Sequence, residues 1–126
     1  MYNMSNMIID NIEFMGASGP STNDAGIRFD GGGYLYITNS YFHDNENGVL
    51  ITPGTPSNIV IDHSEFARNG YSDGYTHNMY ISGVNALSFV LRYSYSHEAK
   101  IGHTVKSRAL TNRIVYNRLA DEANGN

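Results

Sequence analysis

Five side chains in the second half of the chain carry groups suited to acid–base chemistry: His77, Tyr80, His103, Lys106 and Arg108. A lysine or arginine could take up a proton, the imidazoles could offset a developing negative charge, and the phenol could protonate a leaving oxygen. Such groups act together only when the fold places them on one surface. The chemistry therefore depends on how the strands that carry them are arranged.

A recurring phrase of alternating apolar residues predicts that arrangement. Its five copies begin at Asn6, Tyr34, Asn58, Ser88 and Asn112. The residues taken as equivalent are Asn11, Asn39, His63, Tyr93 and Asn117, separated by 28, 24, 30 and 24 residues. Alternation is typical of strands with one buried face, and these separations are too long for hairpins, so we expect parallel pairing with right-handed crossovers. The sequence predicts an all-β, right-handed parallel β-helix of about five rungs, formed by residues 1–126 as one domain that lacks one or both end caps.

The core and the bends follow from fixed positions within each copy. Phe14, Phe42 and Phe66 stand at the same offset from the inner apolar residue of the preceding strand. We expect these rings to form one stack inside the coil. Asn11 and Asn39 follow the strand directly, and we expect their amides to bond across rungs and to satisfy backbone groups of the bend.

A second series of short strands lies between the copies, and its register defines a candidate site. In-register pairing puts Ile27, Val49, Met79 and Val105 inside the coil. The outward columns are then Arg28, Leu50, Tyr80 and Lys106, and Asp30, Thr52, Ser82 and Arg108, while Asn47, His77 and His103 stack one step before the strands. The five candidate residues thus share one face, and its loops should bring Asp73, Glu98 and Lys100 close. Mixed polar residues are also what any solvated solenoid face carries.

The composition argues against several classes of function. A net charge of −4 without a cluster of Lys or Arg argues against nucleic acid as a partner. No apolar run approaches the length of a membrane span, so no membrane partner is expected. The absence of Cys removes disulfides and thiolate metal sites. No signal-peptide pattern occurs in this sequence, and the composition leaves the compartment open.

The repeats resemble the right-handed β-helix repeats of the pectate-lyase-like superfamily over nearly the whole chain. The segments 77–83, 94–97, 102–109 and 116–119 look like those of a group of bacterial β-helix proteins, which generally continue into further rungs. The resemblance implies a fragment of a longer bacterial member, secreted or periplasmic, in a superfamily of lyases, hydrolases and epimerases that act on uronate-containing glycans. The chain departs from the best-known members because it lacks their calcium-binding Asp cluster and their paired Asp motifs.

Together, the face and the resemblance lead us to expect a carbohydrate-active protein, a polysaccharide lyase with an acidic polysaccharide as substrate. Lys106 or Arg108 would abstract the proton beside the uronate carboxylate. His77 and His103 would offset the enolate charge, and Tyr80 would protonate the leaving oxygen. The alternative is a non-catalytic glycan-binding or structural segment of a surface or spike protein, to which the outward tyrosines could contribute by stacking on sugar rings.

A metal site competes with this interpretation. His77 and His103, together with Asp73 or Glu98, could supply imidazole and carboxylate ligands. Because Lys106 would repel a cation and no dense ligand motif is present, we expect neither a metal nor another cofactor.

The remaining histidines are expected to have structural roles. His43 and His97 occupy equivalent positions two rungs apart, too far to share a ligand, and are interpreted as polar turn residues. His63 is interpreted as a replacement for Asn in the bend column. Uncapped solenoid ends expose strand edges, so we also expect homo-oligomers formed through the ends.

Overall fold

Short parallel strands make up the regular structure of this protein. The computed structural model describes residues 2–71 and 73–121, and in these ranges it contains thirteen strands and no helix. The strands stack as a β-solenoid of about four turns, close to the five that the sequence predicts. The all-β parallel solenoid is therefore confirmed, while its right-handed sense stays a prediction from the general preference of parallel crossovers.

The strands form three walls, here called sheets A, B and C. Sheet A contains β1 (Tyr2–Asp10), the second half of β3 (Ala25–Thr38), β6 (Ser57–Asp62), β9 (Ala86–Arg92) and β12 (Thr111–Val115). Sheet B contains β2 (Glu13–Met15), β4 (Tyr41–His43), β7 (Glu65–Ala67), β10 (Tyr95–His97) and β13 (Arg118–Ala120). Sheet C contains the first half of β3, β5 (Asn47–Ile51), β8 (Met79–Ile81) and β11 (Lys106–Ser107).

Equivalent residues of successive turns pair in register, which puts like positions on top of one another. In sheet A, Leu35 pairs with Ile59, and Ile59 pairs with Phe89. All three side chains are fully buried. In sheet C, Val49 pairs with Met79, which confirms the predicted register of the second series of strands. The core is thus a set of apolar columns that run along the coil axis.

The predicted phenylalanine stack is confirmed. The rings of Phe14 and Phe42 lie 4.8 Å apart with an interplanar angle of 7°. Those of Phe42 and Phe66 lie 4.8 Å apart at 3°. Ser96 takes the next position of the column, opposite Phe66, and ends the stack.

Replacement of Phe42 by Ala should remove the middle ring of this stack. Because Phe42 is fully buried, the lost contacts and the remaining cavity should lower the free energy of unfolding by about 3–5 kcal/mol. Urea unfolding of Phe42→Ala and of Tyr34→Ala, whose ring is 40% exposed, provides the measurement and its control. Equal effects of the two substitutions would contradict the assigned packing.

One residue in the left-handed conformation forms each corner between sheets A and B. The φ angles are 58° at Asn11, 49° at Asn39, 44° at His63, 51° at Tyr93 and 57° at Tyr116. His63 does take the place of Asn, as predicted. The last corner lies at Tyr116, one residue before the predicted Asn117. Val115 pairs with Arg92, so the next residue, Tyr116, aligns with Tyr93.

The hydrogen bonds at this corner come from the residue after the bend, and the predicted pairing of Asn11 with Asn39 is wrong. Asn39 instead donates from Nδ2 to Asp10 Oδ1 at 2.9 Å. The backbone N–H of Ser40 donates to Ser64 Oγ, and that of Ser64 donates to Ser94 Oγ, both at 3.2 Å. The side chain of a corner residue in the left-handed conformation points outward. The inward-facing serine hydroxyls therefore accept the backbone N–H groups of the corner.

A buried asparagine ladder that the sequence analysis missed lies at the corner between sheets B and C. Asn45, Asn69 and Asn78 are almost completely buried. Asn69 donates from Nδ2 to Phe42 O at 3.0 Å and accepts the backbone N–H of Asn45 at 3.1 Å. The signal was present in the sequence, because an Asn follows three residues after both Phe42 and Phe66. The ladder satisfies backbone groups that face the core and have no strand partner.

Replacement of Asn69 by Ala should leave Phe42 O without its donor and the N–H of Asn45 without its acceptor. Unpaired buried backbone groups are costly, so we expect a loss of about 2–4 kcal/mol in the free energy of unfolding. Asn23→Ala, in an exposed turn, is the control in the same urea titration. A loss no larger than that of the control would show that the ladder contributes little.

The outermost described rung is less covered than the inner ones. Ile114 follows Leu91 in the inner column of sheet A, yet it is 41% exposed because no described strand lies beyond it. Leu119 of β13 is 45% exposed. The expected association of copies through such ends stays a prediction.

Candidate functional site

The candidate site lies on the outer surface of sheet C, at its last two strands. Lys106 pairs with Tyr80, and Tyr80 pairs with Leu50 of the preceding turn, in the predicted column. Lys106 Nζ lies 4.5 Å from the centroid of the Tyr80 ring, and Arg108 Cζ lies 5.7 Å from it. Both distances are within the range of cation–π attraction, so the phenol ring holds the two cationic side chains together. This cluster, with His77 and His103, is called the sheet C face below.

His77 lies beneath the sheet C face rather than on it. Its side chain is fully buried, and its backbone N–H donates to Asn47 Oδ1 at 3.0 Å, which confirms the predicted column. Its ring packs edge-on against Tyr80, with centroids 5.5 Å apart, and against exposed His103 at 4.9 Å. A fully buried ring has no surface for a substrate, so His77 can only position its neighbours.

The hydrogen bonds of His77 determine how it positions them. The backbone N–H of His103 donates to His77 Nδ1 at 3.0 Å, and Lys106 Nζ lies 3.1 Å from His77 Nε2. A backbone N–H can only donate, so Nδ1 carries a lone pair and a neutral ring carries its proton on Nε2. His77 thus connects the backbone of the neighbouring rung to the lysine side chain.

Burial lowers the pKa of His77 to about 4, and the positive charges of Lys106 and His103 act in the same direction. Asp73 opposes this shift. The ring is therefore neutral at pH 7. His43 behaves in the opposite way, because its hydrogen bond to Asp44 raises its pKa, with a further contribution from Glu13 and against the effect of burial.

The pKa of His77 predicts a pH-dependent stability. The unfolded ring takes up a proton below about pH 6.5, whereas the folded ring does so only near pH 4, so the free energy of unfolding falls as the pH drops through this window. We expect a loss of about 2 kcal/mol between pH 7 and pH 5 from this group. His77→Asn, which copies Asn47 of the same column, should remove this loss in urea titrations at the two pH values.

His43→Asn provides the opposite control for that measurement. The raised pKa of His43 adds stability that is complete below about pH 6.5 and is lost as the pH rises through the folded value. Its replacement should therefore reduce stability more at pH 5 than at pH 8. An unchanged pH dependence in His77→Asn would contradict the assigned burial of the ring.

Two of the three loop residues expected near the sheet C face lie elsewhere. Glu98 Oε2 lies 2.8 Å from His97 Nδ1, and Lys100 Nζ lies 3.8 Å from Asp44 Oδ1, at the corner between sheets B and C. A left-handed residue at Glu98, with φ of 50°, turns its side chain away from sheet C. Asp73 does lie close enough to influence His77, while its Oδ1 accepts the backbone N–H of Tyr75 at 2.9 Å.

The two equivalent histidines of sheet B are held by carboxylates rather than being simple turn residues. His43 contacts Asp44 from Nδ1 at 2.7 Å and Glu13 from Nε2 at 2.8 Å. His97 contacts Glu65 from Nε2 at 3.0 Å. Each imidazole therefore links its own rung to the preceding one. Ala67 lies between His43 and His97 in the same column, so the series of imidazoles is not continuous. Sequence reasoning missed these bridges because Glu13 and Glu65 come from other turns of the coil.

Comparison of the chain with known protein families, with curated proteins and with solved structures finds no match. Within residues 2–71 and 73–121, no group of three or more His, Asp or Glu residues is arranged to hold a metal ion. None of the described residues forms a helix long and apolar enough to cross a membrane. The functional argument therefore depends on the geometry of the site.

Proposed function

We propose that this chain is a carbohydrate-active β-solenoid protein that binds a uronate-containing glycan on the sheet C face and acts on it as a polysaccharide lyase. The observation that supports this most is the 3.1 Å contact between Lys106 Nζ and His77 Nε2, beside Tyr80 and Arg108. A candidate base (Lys106), a cation for the carboxylate (Arg108) and a phenol (Tyr80) therefore lie on one surface. The substrate class comes from the resemblance of the repeats to those of the pectate-lyase-like superfamily.

The hydrogen-bond pattern supports Lys106 as the base. His77 carries its proton on Nε2, and that N–H faces Lys106 Nζ. The contact fixes the position of Lys106 Nζ beside the Tyr80 ring. In its deprotonated form this amine has the lone pair that a general base needs. In this proposal His77 is a positioning residue, and it no longer has the charge-stabilising role expected from the sequence.

The remaining groups fit the other steps of a β-elimination. Lys106 Nζ takes the proton from the carbon beside the uronate carboxylate, and the released electron pair forms a carbon–carbon double bond as the glycosidic C–O bond breaks. Arg108 neutralises the carboxylate, whose charge grows as the proton leaves, and exposed His103 can assist it. The Tyr80 hydroxyl supplies a proton to the leaving oxygen. The products are an unsaturated uronate and a shortened glycan.

A lyase assay on the full chain tests this proposal. We expect absorbance of unsaturated uronates in the ultraviolet to rise with at least one of a panel of acidic polysaccharides. Lys106→Ala should lower the rate by about 10²-fold or more, because it removes the base. Lys100→Ala, a half-buried lysine away from the sheet C face, is the matched control and should retain the rate.

An activity that survives both Lys106→Ala and Arg108→Ala would show that the reaction occurs elsewhere or by another mechanism. No product from any acidic polysaccharide would remove the lyase assignment.

A non-catalytic surface for acidic glycans is the second candidate function. The observation in its favour is charge: the described residues place no carboxylate in an ion pair with Lys106 or Arg108, so both cations are available to an anion. Binding of an acidic polysaccharide in calorimetry, weakened by Arg108→Ala and without any unsaturated product, would favour this function.

A further inference from the structure

The outer surface of sheet A differs from the outer surfaces of the other two walls. Its central outward column carries four apolar side chains in successive turns and then a charged one: Ile8, Tyr36, Val60, Val90 and Arg113. The outward column of sheet B contains Glu13, Glu65 and Arg118, and that of sheet C contains Arg28 and Lys106. Among the described residues, sheet A alone thus presents a continuous apolar stripe on its outer surface.

The stripe is accessible from solvent. Ile8 is 68% exposed, and Tyr36, Val60 and Val90 are half-buried between their neighbours of the adjacent turns. The ring of Tyr34, which is 40% exposed, lies 6.3 Å from that of Tyr36 and widens the stripe. Strands favour β-branched and aromatic residues in general, yet the outward strand positions of sheets B and C also take charged residues. An apolar outer surface is therefore not a requirement of this fold, and it suits contact with a second apolar surface.

The charged residues in the middle of this surface are paired within one copy. Arg92 Nη2 lies 3.0 Å from Asp62 Oδ2, and His63 Nδ1 at the adjoining corner lies 3.4 Å from Asp62 Oδ1. The Asp62 side chain is almost fully buried, and the Tyr36 hydroxyl donates to its Oδ2 at 2.9 Å. The carboxylate of Asp62 is therefore satisfied and does not repel a partner.

The two ends of the stripe carry opposite charges. Exposed Asp10 lies at the first turn, where its Oδ1 accepts a hydrogen bond from Asn39 Nδ2 at 2.9 Å. Exposed Arg113 lies at the last described turn. Within residues 2–71 and 73–121, neither Asp10 nor Arg113 forms an ion pair. Each end therefore has a charge that a second molecule can neutralise.

These charges select one orientation for two copies packed face to face on sheet A. With parallel coil axes, the Arg113 side chains of the two copies would meet and repel each other. With antiparallel axes, the first turn of each copy faces the last described turn of the other. Arg113 then comes beside Asp10 at both ends, Tyr36 faces Val90, and Val60 lies on the two-fold axis.

We propose that the outer surface of sheet A is the contact surface of a symmetric dimer of this chain with antiparallel coil axes. The two apolar stripes are buried against each other, and an ion pair between Arg113 and Asp10 closes each end. Sheet C is a different wall of the coil and stays exposed. The dimer is therefore independent of the proposed lyase.

The dimensions of the surface determine the expected affinity. Five strands spaced about 4.8 Å apart, each with about five residues of about 3.3 Å, give a surface of about 24 by 17 Å. Two such surfaces hide about 800 Å² as flat areas and about 1,100 Å² with side-chain relief, which is at the weak end of specific interfaces. We therefore expect reversible association with a dissociation constant of about 1–100 μM.

Sedimentation equilibrium of the full chain over a concentration series tests this dimer. Val60→Glu places two like charges on the two-fold axis and should weaken the association by about 100-fold or more. Thr52→Glu, which adds the same charge at an exposed position outside sheet A, is the matched control and should leave the association unchanged. Urea unfolding of both variants checks that the fold is retained.

An exchange of charges tests the ion pairs. Arg113→Glu and Asp10→Lys should each weaken the association by about fivefold or more, because like charges then meet. The double variant Arg113→Glu/Asp10→Lys should restore it. Within one copy the two residues lie four rung spacings apart, about 19 Å, so a rescue requires contact between copies.

Cross-linking tests the orientation. The chain has no Cys, so a single introduced cysteine reports only its own position. With a short bis-maleimide, Val60→Cys should link two copies across the axis. Ile8→Cys should not, because the first turns of the two copies lie at opposite ends of the dimer.

Three results would overturn the proposal. The first is a chain that stays monomeric up to about 1 mM. The second is an association that Val60→Glu leaves unchanged, which would place the contact elsewhere, for example at the ends of the coil. The third is cross-linking of Ile8→Cys as efficient as that of Val60→Cys, which would show parallel axes.

Discussion

In-register stacking of one turn on the next is the constraint on which the rest of this structure depends. Each strand is too short to hold its shape alone, and it gains both its hydrogen bonds and its apolar neighbours from the turns above and below. Equivalent residues must then follow one another along the axis at the spacing of parallel strands. Every column, whether Phe on Phe or Lys on Tyr, is a consequence of this single requirement.

The corners show how strictly the stacking must satisfy polar groups. Where the chain bends, ladder bonds end, and side chains replace them: serines between sheets A and B, and asparagines between sheets B and C. At Ala99 the expected asparagine is missing, and Asn78 reaches across from the start of sheet C to bond with His97 O at 2.8 Å. Such a replacement indicates that the buried backbone at this corner must be paired, whichever turn provides the side chain.

Freedom for function exists where the stack does not use a side chain. Outward positions of sheet C and the left-handed corner residues face away from the core, so their chemistry can vary without disturbing the columns. Cations gather at Lys106 and Arg108, while carboxylates and imidazoles pair along sheet B. Because equivalent residues of successive turns pair in register, a functional side chain on one turn lies next to the equivalent side chain of the following turn.

The sequence by itself determined the architecture and the columns of this protein. The alternation of apolar residues and the spacing of the copies sufficed to predict the sheet C register that brings Tyr80 and Lys106 together. These features are local and periodic, and parallel stacking converts them directly into contacts.

Only the tertiary structure decided how deep each side chain lies and which partner it meets. His77 belongs to the predicted column but is fully buried, because Lys106 and Tyr80 cover it from the next strand and its own. The contacts of Glu13 with His43 and of Glu65 with His97, and the stacking of Tyr93 on Tyr116, likewise join residues from different turns. Burial and cross-turn pairing depend on side-chain size and direction at several turns at once, and a repeat pattern does not contain that information.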